Sequence, residues 1–440
     1  MNCKMRLTVM LAMLASFVLT HAQENLPVLN LTLEKAIELA LSDNPTMKVA
    51  EQEITLKEVS KREAWQNLLP SISIDGTISY DIKVAEIKTS MGSFKMGMDD
   101  SNTWNGGINV SLPLYAPAIY RSIKMGKKDI ELAVEKSRGS RIDLINQVKK
   151  AYYQLMLAQD SYDVLMESYK LTERNYNVVK AKYEQGSVSE YDKISAEVQH
   201  RSVWPNVVSS KNAVALAKLQ LKVLMGVTAD VDLAINDKLS NYESQMQVDA
   251  TSASQISLDG NSALKQIDLN GELLNQQRKM LYTNFHPTLA LTGSYQYLSR
   301  SNTNWEFYNF NWSNSSSLAL SLSIPLFKAS NFTKLKSNKI QQQQLAETRL
   351  NTERQLRMQA QSQLDNMVAS AEQLETNKKS VELAKKELNI SEKRYEVGKG
   401  TILELNSSQV SLTNVQLTYH NSIYDYLVAK SEFETIIGKE

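Results

Sequence analysis

This chain is written twice. Asn67-Leu68-Leu69-Pro70 leads into Ser71-Ile72-Ser73-Ile74, and Asn284-Phe285-His286-Pro287 leads into Thr288-Leu289-Ala290-Leu291. Ser111-Leu112-Pro113-Leu114 returns as Ser323-Ile324-Pro325-Leu326, and Lys182-Tyr183-Glu184-Gln185-Gly186 as Arg394-Tyr395-Glu396-Val397-Gly398. Leu224-Met225-Gly226 returns as Ile436-Ile437-Gly438. The last three pairs share one offset, since Pro113 to Pro325, Gly186 to Gly398 and Gly226 to Gly438 are equal steps along the chain. A long internal repeat means one structural unit built twice. Each copy holds both strand-like and very long helix-like stretches, which narrows the folds available.

The strand-like stretches alternate strictly. Ile72, Ile74, Gly76, Ile78, Tyr80, Ile82 and Val84 face one way, and Ser71, Ser73, Asp75, Thr77, Ser79, Asp81 and Lys83 the other. The pattern returns at Ile108, Val110, Leu112 and Leu114, at Leu289, Leu291, Gly293, Tyr295 and Tyr297, and at Leu318, Leu320, Leu322, Ile324 and Leu326. Such alternation collects the apolar side chains on one face. Four strands are expected, at about 71–84, 107–114, 288–298 and 316–326. The stretches between the strands of each pair, about 85–105 and 299–315, are polar and read as exposed loops. Two hairpins on a soluble core would satisfy the alternation. Aromatic residues gathered at the strand ends (Tyr80, Trp104, Tyr295, Tyr297, Trp305, Trp312) instead suit the girdle of a membrane barrel.

The helical stretches come next. Thr32 caps a short helix to Leu41, Ser42-Asp43-Asn44-Pro45 breaks it, and a second helix runs to about Leu68. Runs over 118–185 and 330–396 are each about 100 Å long at 1.5 Å per residue. A 3–4 seam passes through Ile145, Val148, Tyr152, Leu155, Gln159, Tyr162, Met166, Tyr169, Glu173, Tyr176, Lys180 and Tyr183. Its image passes through Arg357, Ala360, Leu364, Met367, Ala371, Leu374, Lys378, Val381, Lys385, Leu388, Glu392 and Tyr395, so both runs are expected in coiled-coil packing. Gly186 and Gly398 reverse the chain, and return helices are expected over 189–226 and 401–437. Pro205 should kink the first of these, whereas its counterpart Leu417 should not kink the second.

Residues 1–22 read as a secretory leader: Lys4 and Arg6, an apolar Leu7–Leu19, and small residues around Thr20-His21-Ala22. Cys3 precedes that apolar core, so it is not placed for lipidation, and a matured chain would hold no disulfide. The remainder divides into a first repeat at 23–228 (long hairpin 118–226), a linker or equatorial segment at 229–258, and a second repeat at 259–440 (long hairpin 330–437). The formal charge of +1 excludes a polyanion binder working by net charge, and no basic patch marks a nucleic-acid site. No later stretch has the roughly 18 apolar residues of a spanning helix, so any membrane crossing falls to strands.

Four strands cannot close a barrel, since about eight are needed to enclose even packed side chains. An open edge in lipid leaves backbone groups unsatisfied. Strands from other copies must therefore complete the ring; a dimer gives eight and a trimer twelve. A Ser-, Thr-, Asn- and Asp-rich inner face favours the larger, hydrated ring. The chain resembles the outer-membrane efflux proteins of Gram-negative bacteria, the TolC-like channel-tunnels. The resemblance rests on Leu31-Thr32-Leu33-Glu34-Lys35-Ala36-Ile37-Glu38-Leu39-Ala40 followed by Asn44-Pro45, on Leu69-Pro70, on Pro113-Leu114 and Pro325-Leu326 before the long helices, and on the two Tyr-Glu-x-Gly turns. It spans essentially the whole matured chain. It implies a mainly α fold with a membrane β-barrel, a homotrimer with a 12-stranded barrel set in outer-membrane lipid, and a helical tunnel reaching into the periplasm. It also implies a periplasmic adaptor (membrane fusion) protein and an inner-membrane pump as partners. The second half departs from the pattern, with no Asn-Pro near Ile267-Asp268-Leu269.

A catalytic set is not visible, and neither a cofactor nor a metal is expected. His21 belongs to the leader, and His200, His286 and His420 lack the spacing to carboxylates or thiols that metal or triad chemistry needs. The resemblance assigns a periplasmic gate to Asp192 and Glu404, each six residues after a turn glycine. In a trimer they would supply six carboxylates, repelling one another and attracting cations. The plainer reading is two residues on a solvated helix face. The family's second acidic position holds Ser407 and a latch position holds Gly400, which leaves Lys399 or Lys193 for the latch. The turns Gln185-Gly186-Ser187 and Val397-Gly398-Lys399 are the expected adaptor contacts. The function so implied is a passive exit duct of an efflux or type I secretion system, for drugs, metabolites, metals or polypeptides. A periplasmic coiled-coil structural or adaptor protein is the alternative, and its weakness is that it has no use for lipid-facing strands.

Overall fold

The computed structural model describes residues 28–90, 92–95, 97, 99–227, 231–246, 256–301 and 311–439. The leader at 1–22 and Trp305 lie outside the described residues, as do parts of the 229–258 segment. In chain order the elements are β1 (Val28–Asn30), α1 (Leu33–Asp43), α2 (Pro45–Gln66), β2 (Ser71–Asp81), β3 (Glu86–Thr89), β4 (Gly92–Lys95), β5 (Ser101–Tyr115), α3 (Pro117–Glu184) and α4 (Glu190–Met225). There follow β6 (Asp232–Ala234), a 3-10 turn (Leu239–Gln245), α5 (Ser262–Thr283), β7 (Thr288–Ser301), β8 (Ser313–Ser323), α6 (Ala329–Glu396) and α7 (Ile402–Ile437).

The duplication governs the helices position by position. α3 and α6 have the same length, and so do α4 and α7. Each second copy begins at one offset from the first, 212 (329 − 117 = 402 − 190). Before the strand-to-strand loops the offset is 217 instead, from Pro45 to Ser262 and from Ser71 to Thr288. The first loop is therefore the longer, by five (217 − 212).

The missing Asn-Pro of the second half has a counterpart at Asn261-Ser262, several residues before the expected place. Asn44 accepts from Thr46 N at 2.7 Å to start α2, and its Nδ2 donates to Leu224 O at 2.7 Å. Asn261 precedes α5 and donates from Nδ2 to the carbonyl of Ile436, the repeat counterpart of Leu224, at 2.7 Å. One buried amide thus joins a helix start to a helix end in each copy. The proline is dispensable, because the side chain makes the joint.

The chain divides into two compact units. The first comprises residues 1–48, 140–261 and 355–440. Its core joins Ala36 and Ala40 of α1, Tyr152, Leu155 and Met156 of α3, Leu221 and Met225 of α4, Met367 of α6, and Ile423 and Tyr426 of α7. Each large apolar side chain among them contributes about 1.5–3 kcal/mol on burial. β1 pairs in parallel with β6 beside this core. In α6 the expected seam holds at Ala360, Leu364, Met367, Leu374, Leu388 and Tyr395, which are buried, whereas its charged places Arg357, Lys378 and Lys385 are exposed, because a charge is costly to take out of water. In α3 it holds to Leu155 and then moves. Asp160, Val164, Ser168, Thr172 and Val179 are buried in place of Gln159, Tyr162, Met166 and Tyr169. A strict 3.5 repeat drifts about 20° per heptad around a straight helix, and α3 follows its own helical period instead. α4 passes through Pro205 as one helix.

The second unit comprises residues 49–139 and 262–354. Here α3 packs on α5 through Lys128–Glu272 at 2.6 Å, and α6 packs on α5 through Arg349–Asp268 at 2.6 Å. The unit carries one antiparallel four-stranded sheet in the order β2-β5-β7-β8. Strand limits differ from the alternation. β2 stops at Asp81, because its partner β5 begins at Ser101. β5 starts before the expected 107, and β7 runs on to Ser301, because ladder bonds between them hold Asn, Ser and Gly that carry no apolar signal. β8 spans 313–323, ending where Thr288 of β7 ends the ladder and before Pro325, which has no N–H to give. A bulge between Pro113 and Tyr115 removes Leu114 from its row and gives the place to Tyr115. The first loop is not wholly irregular, since β3 and β4 form a hairpin inside it.

Candidate functional site

The sheet sorts its side chains by register. Ile72, Val110, Gly293 and Leu318 make one cross-strand row, and Ile74, Ile108, Tyr295 and Ser316 the next. Directly paired residues share a face. One face therefore gathers Ile72, Ile74, Ile78, Val110, Leu112, Leu289, Leu291, Leu318, Leu320 and Leu322, with Tyr80, Trp104, Tyr295 and Tyr297 toward one end. The other gathers Ser73, Asp75, Thr77, Asn105, Asn109, Thr292, Ser294, Ser315 and Ser317. The apolar face is uncovered: Ile74 is 79% exposed and Leu320 63%. So large an apolar patch marks an interaction surface. The polar face is knit by hydrogen bonds, Asn109 Nδ2 to Asp75 at 2.7 Å and Ser294 Oγ with Ser317 Oγ at 2.8 Å. Among the described residues, the outward edges of β2 and β8 have no partner strand.

In the first unit the hairpin tips are built alike. Gly186 and Gly398 each have φ of 73°, the left-handed region that glycine enters without strain. Ser187 N donates to Lys182 O at 2.8 Å and Lys399 N to Arg394 O at 2.8 Å, the C-terminal closure of α3 and α6. Gln185, Gly186, Ser187, Val397, Gly398 and Lys399 are all exposed. Just beyond the turn glycines, Ser189 and Thr401 cap α4 and α7.

Asp192 and Glu404 complete those caps. Asp192 N donates to Ser189 Oγ at 3.2 Å while Ser189 N donates back to Asp192 Oδ2 at 3.3 Å. Glu404 N donates to Thr401 Oγ1 at 3.2 Å, and Thr401 N donates to Glu404 Oε2 at 3.5 Å. Both expected gate residues are thus the third residue of a capping box. Their settings differ. Arg394 Nη2 lies 3.7 Å from Glu404 Oε2, whereas Asp192 raises the Tyr395 phenol, which burial pushes up first. Of the two expected latch lysines, Lys193 lies over the Tyr183 ring at 4.8 Å, and Lys399 offers its carbonyl to Arg394. Arg394 and Lys182 are contacts the sequence reading missed. Lys182 donates to the carbonyls of Tyr395 and Glu396 at 3.3 and 3.1 Å, tying tip to tip. Below the tips, Val179, Ala196, Leu388, Tyr395, Ile402 and Leu405 form one cluster from all four helices.

The histidines are more engaged than their spacing suggests. His200 lies parallel to Tyr176 and tilted against Tyr169, with ring centroids at 6.1 and 4.6 Å. His420 Nδ1 lies 3.5 Å from Asp160 Oδ2, a pair distant in the chain that only the fold creates. Burial holds the His420 pKa down and pushes that of Asp160 up, while Asp160 accepts from Leu239 N at 3.1 Å. Among the described residues, no group of three His, Cys, Asp or Glu could hold a metal. Of the described helices, none is long and apolar enough to cross a membrane.

A sheet with one bare apolar face and two open edges, joined to duplicated hairpins of such length, defines the class of a β-spanning membrane channel with a helical extension. The family model described as outer membrane efflux protein matches residues 36–227 and 253–439. The chain belongs to the outer membrane efflux protein family, and so to the outer membrane of Gram-negative cells, with a periplasmic extension. Outer membrane protein TolC of Vibrio cholerae serotype O1 is 23% identical over 372 residues, covering 84% of this chain and 82% of the relative. TolC of Escherichia coli strain K12 is 20% identical over 420 residues, covering 92% and 82%. Among solved structures, CusC matches with a TM-score of 0.75 at 16% identity, over 94% of this chain and 93% of that one. The Campylobacter jejuni CmeC outer membrane channel matches at 0.71 and 17% identity, over 92% and 85%.

Proposed function

We propose that the protein is the outer-membrane exit duct of a tripartite efflux or type I secretion system. Three copies pool their sheets into a 12-stranded barrel around water, and their paired hairpins form a periplasmic tunnel. A periplasmic adaptor and an inner-membrane pump supply cargo and energy, and the duct itself performs no chemistry.

The observation that carries this reading is the sheet: four strands, apolar on one face and polar on the other, with open edges at β2 and β8. Each unpaired backbone group in hydrocarbon costs several kcal/mol, so the open edge of β8 is tolerable only against another strand. A second surface supports assembly. Tyr191, Ile194, Val198, Val208, Leu219 and Val223 form an exposed stripe at heptad-like spacing along α4. A helix in water does not keep such a stripe bare, and the matching helix of a neighbouring copy would cover it. The coiled-coil adaptor alternative accounts for α3, α4, α6 and α7 but leaves the apolar sheet face unused.

Within this reading, Asp192 and Glu404 line the periplasmic gate, and the two turns at 185–187 and 397–399 receive the adaptor. The test is sedimentation in detergent combined with planar-bilayer conductance. Three copies per particle and a stable ion current are expected. A monomer that stays dispersed in buffer without detergent would refute the duct.

A further inference from the structure

We infer that the β3–β4 hairpin is a lipid anchor, laying Ile87 and Phe94 against the outer-leaflet boundary beside the barrel wall; the inference rests on the membrane reading of the sheet. The hairpin lies in the longer of the two strand-to-strand loops. Its register pairs Ile87 with Phe94 on one face, and Glu86 with Lys95 and Lys88 with Ser93 on the other. It is therefore an amphipathic ribbon. Ile87 is 47% exposed and Phe94 61%. A lone two-stranded hairpin is marginal in water and needs a surface to lie on.

The polar side is tied to the segments that link the ribbon to the sheet. Lys95 pairs with Asp99, Val84 N donates to Asp99 Oδ1 at 3.0 Å, and Tyr80 Oη donates to Asp100 Oδ1 at 3.5 Å. The chain enters the ribbon directly from the strand with the bare apolar face. Ile72, Ile74, Ile78 and Tyr80 are exposed along the apolar face of β2, and Ile82, in the bend just past the last ladder pair, is 74% exposed. Lipid is thus the apolar phase already in contact with this strand. A second copy meets the sheet at strand edges, not faces. Two side chains also fall far short of the roughly 800 Å² per partner that a protein interface needs, whereas ribbon tips of this kind suit the headgroup boundary.

The test uses single cysteines in a Cys3→Ser background, labelled with an environment-sensitive fluorophore, in phosphatidylethanolamine–phosphatidylglycerol vesicles containing doxyl-labelled lipid. Positions 87 and 94 (Ile87→Cys, Phe94→Cys) are compared with Ile74→Cys on the apolar face, Ser73→Cys on the polar face and Lys88→Cys across the ribbon. Quenching at 87 and 94 as strong as at 74, with 73 and 88 unquenched, is the expected result. Quenching at 74 but not at 87 and 94 overturns the anchor, whether water or another copy covers the ribbon. Failure to quench at 74 sinks the membrane reading itself and the anchor with it.

Discussion

Asp192 and Glu404, the proposed gate carboxylates, offer a perturbation in which charge and fold separate. Both close capping boxes. Alanine at either site removes the return bond of the capping box as well as the charge, while Ser189 and Thr401 still accept from the backbone N–H of 192 and 404. Asp192→Asn and Glu404→Gln keep an oxygen that accepts from Ser189 N or Thr401 N and delete only the charge. The charges themselves are unequal. Glu404 has Arg394 at 3.7 Å, with the two side chains about half exposed. Such a pair is worth under about 1 kcal/mol to stability, yet it offsets the field a passing ion would feel. Beside Asp192 in sequence, the cation of Lys193 is turned onto the Tyr183 ring. A carboxylate attracts a monovalent cation about 4 Å away by about 1 kcal/mol in water, a factor of about five. Asp192→Asn is therefore expected to lower the cation-to-anion permeability ratio by about fivefold or more in the trimer, and Glu404→Gln by less. The assay is the reversal potential across a planar bilayer under a potassium chloride gradient. If the two isosteric variants leave selectivity unchanged while the alanine variants alter it, the carboxylates act as caps and the gate assignment is wrong.

Other consequences concern the joints. Gly186 and Gly226 have similar φ, 73° and 67°, but a Cβ at Gly186 meets open space while one at Gly226 would lie 2.8 Å from Asp43 O. Each alanine carries left-handed strain of about 1–2 kcal/mol, so Gly226→Ala should shorten the half-life at elevated temperature much more than Gly186→Ala; equal effects would contradict the docking of Asp43 on Gly226. Asn261→Ala should cost about 1–3 kcal/mol for the stranded Ile436 carbonyl, seen as faster thermal inactivation, and Asn44→Ala should match it if the two joints are equivalent. Lys149 bonds Glu434 at 2.9 Å. Burial pushes the Glu434 carboxyl up, but Lys149, with Lys439 and Lys430 behind it, outweighs burial and holds the pKa below the usual range. A depressed carboxylate stabilises above its unfolded value of about 4.3 and loses that contribution as pH falls through the native value. Glu434→Gln should flatten the fall in melting temperature below about pH 4; an unaltered profile would count against the pair.

The strands are legible because a period of two survives wherever one face meets an apolar phase and the other meets water. Legibility fails where the side chains stop carrying that contrast. Asn102, Asn105, Gly106 and Gly107 lie in a paired strand because β2 and β7 flank them, not because of their own character. The reversals at Gly186 and Gly398 can be placed from sequence, since a left-handed cap asks for glycine. Asn261 hides behind the missing proline, because the recognisable motif is Asn-Pro whereas the physical requirement is the amide alone. The caps around Asp192 and Glu404 do have a signal, since Ser189 and Thr401 stand at the capping-box spacing before them, yet the resemblance drew attention to the carboxylates alone. Asp160 with His420 has no sequence signal, because the two are remote in the chain and only packing brings them together.

The repeat also shows how far duplication constrains a fold once the copies have different neighbours. Each helix keeps its length in the second copy, at one offset within the hairpins and another before the strands, so length is set by end signals that both copies retain: a cap, a glycine and a joint. Packing does not obey it. Tyr169, Tyr176, His200 and Trp204 form an aromatic cluster on the first hairpin, where the second has Val381, Leu388, Leu412 and Gln416. Glu404 gains Arg394, while Lys182, at the equivalent place, turns to the carbonyls of Tyr395 and Glu396. In a ring of three copies the six hairpins would thus alternate between two kinds. Such a tunnel is equal in length all round, as sealing demands, but unequal in how each hairpin is held, so any motion at the tips would proceed by threes and not by sixes.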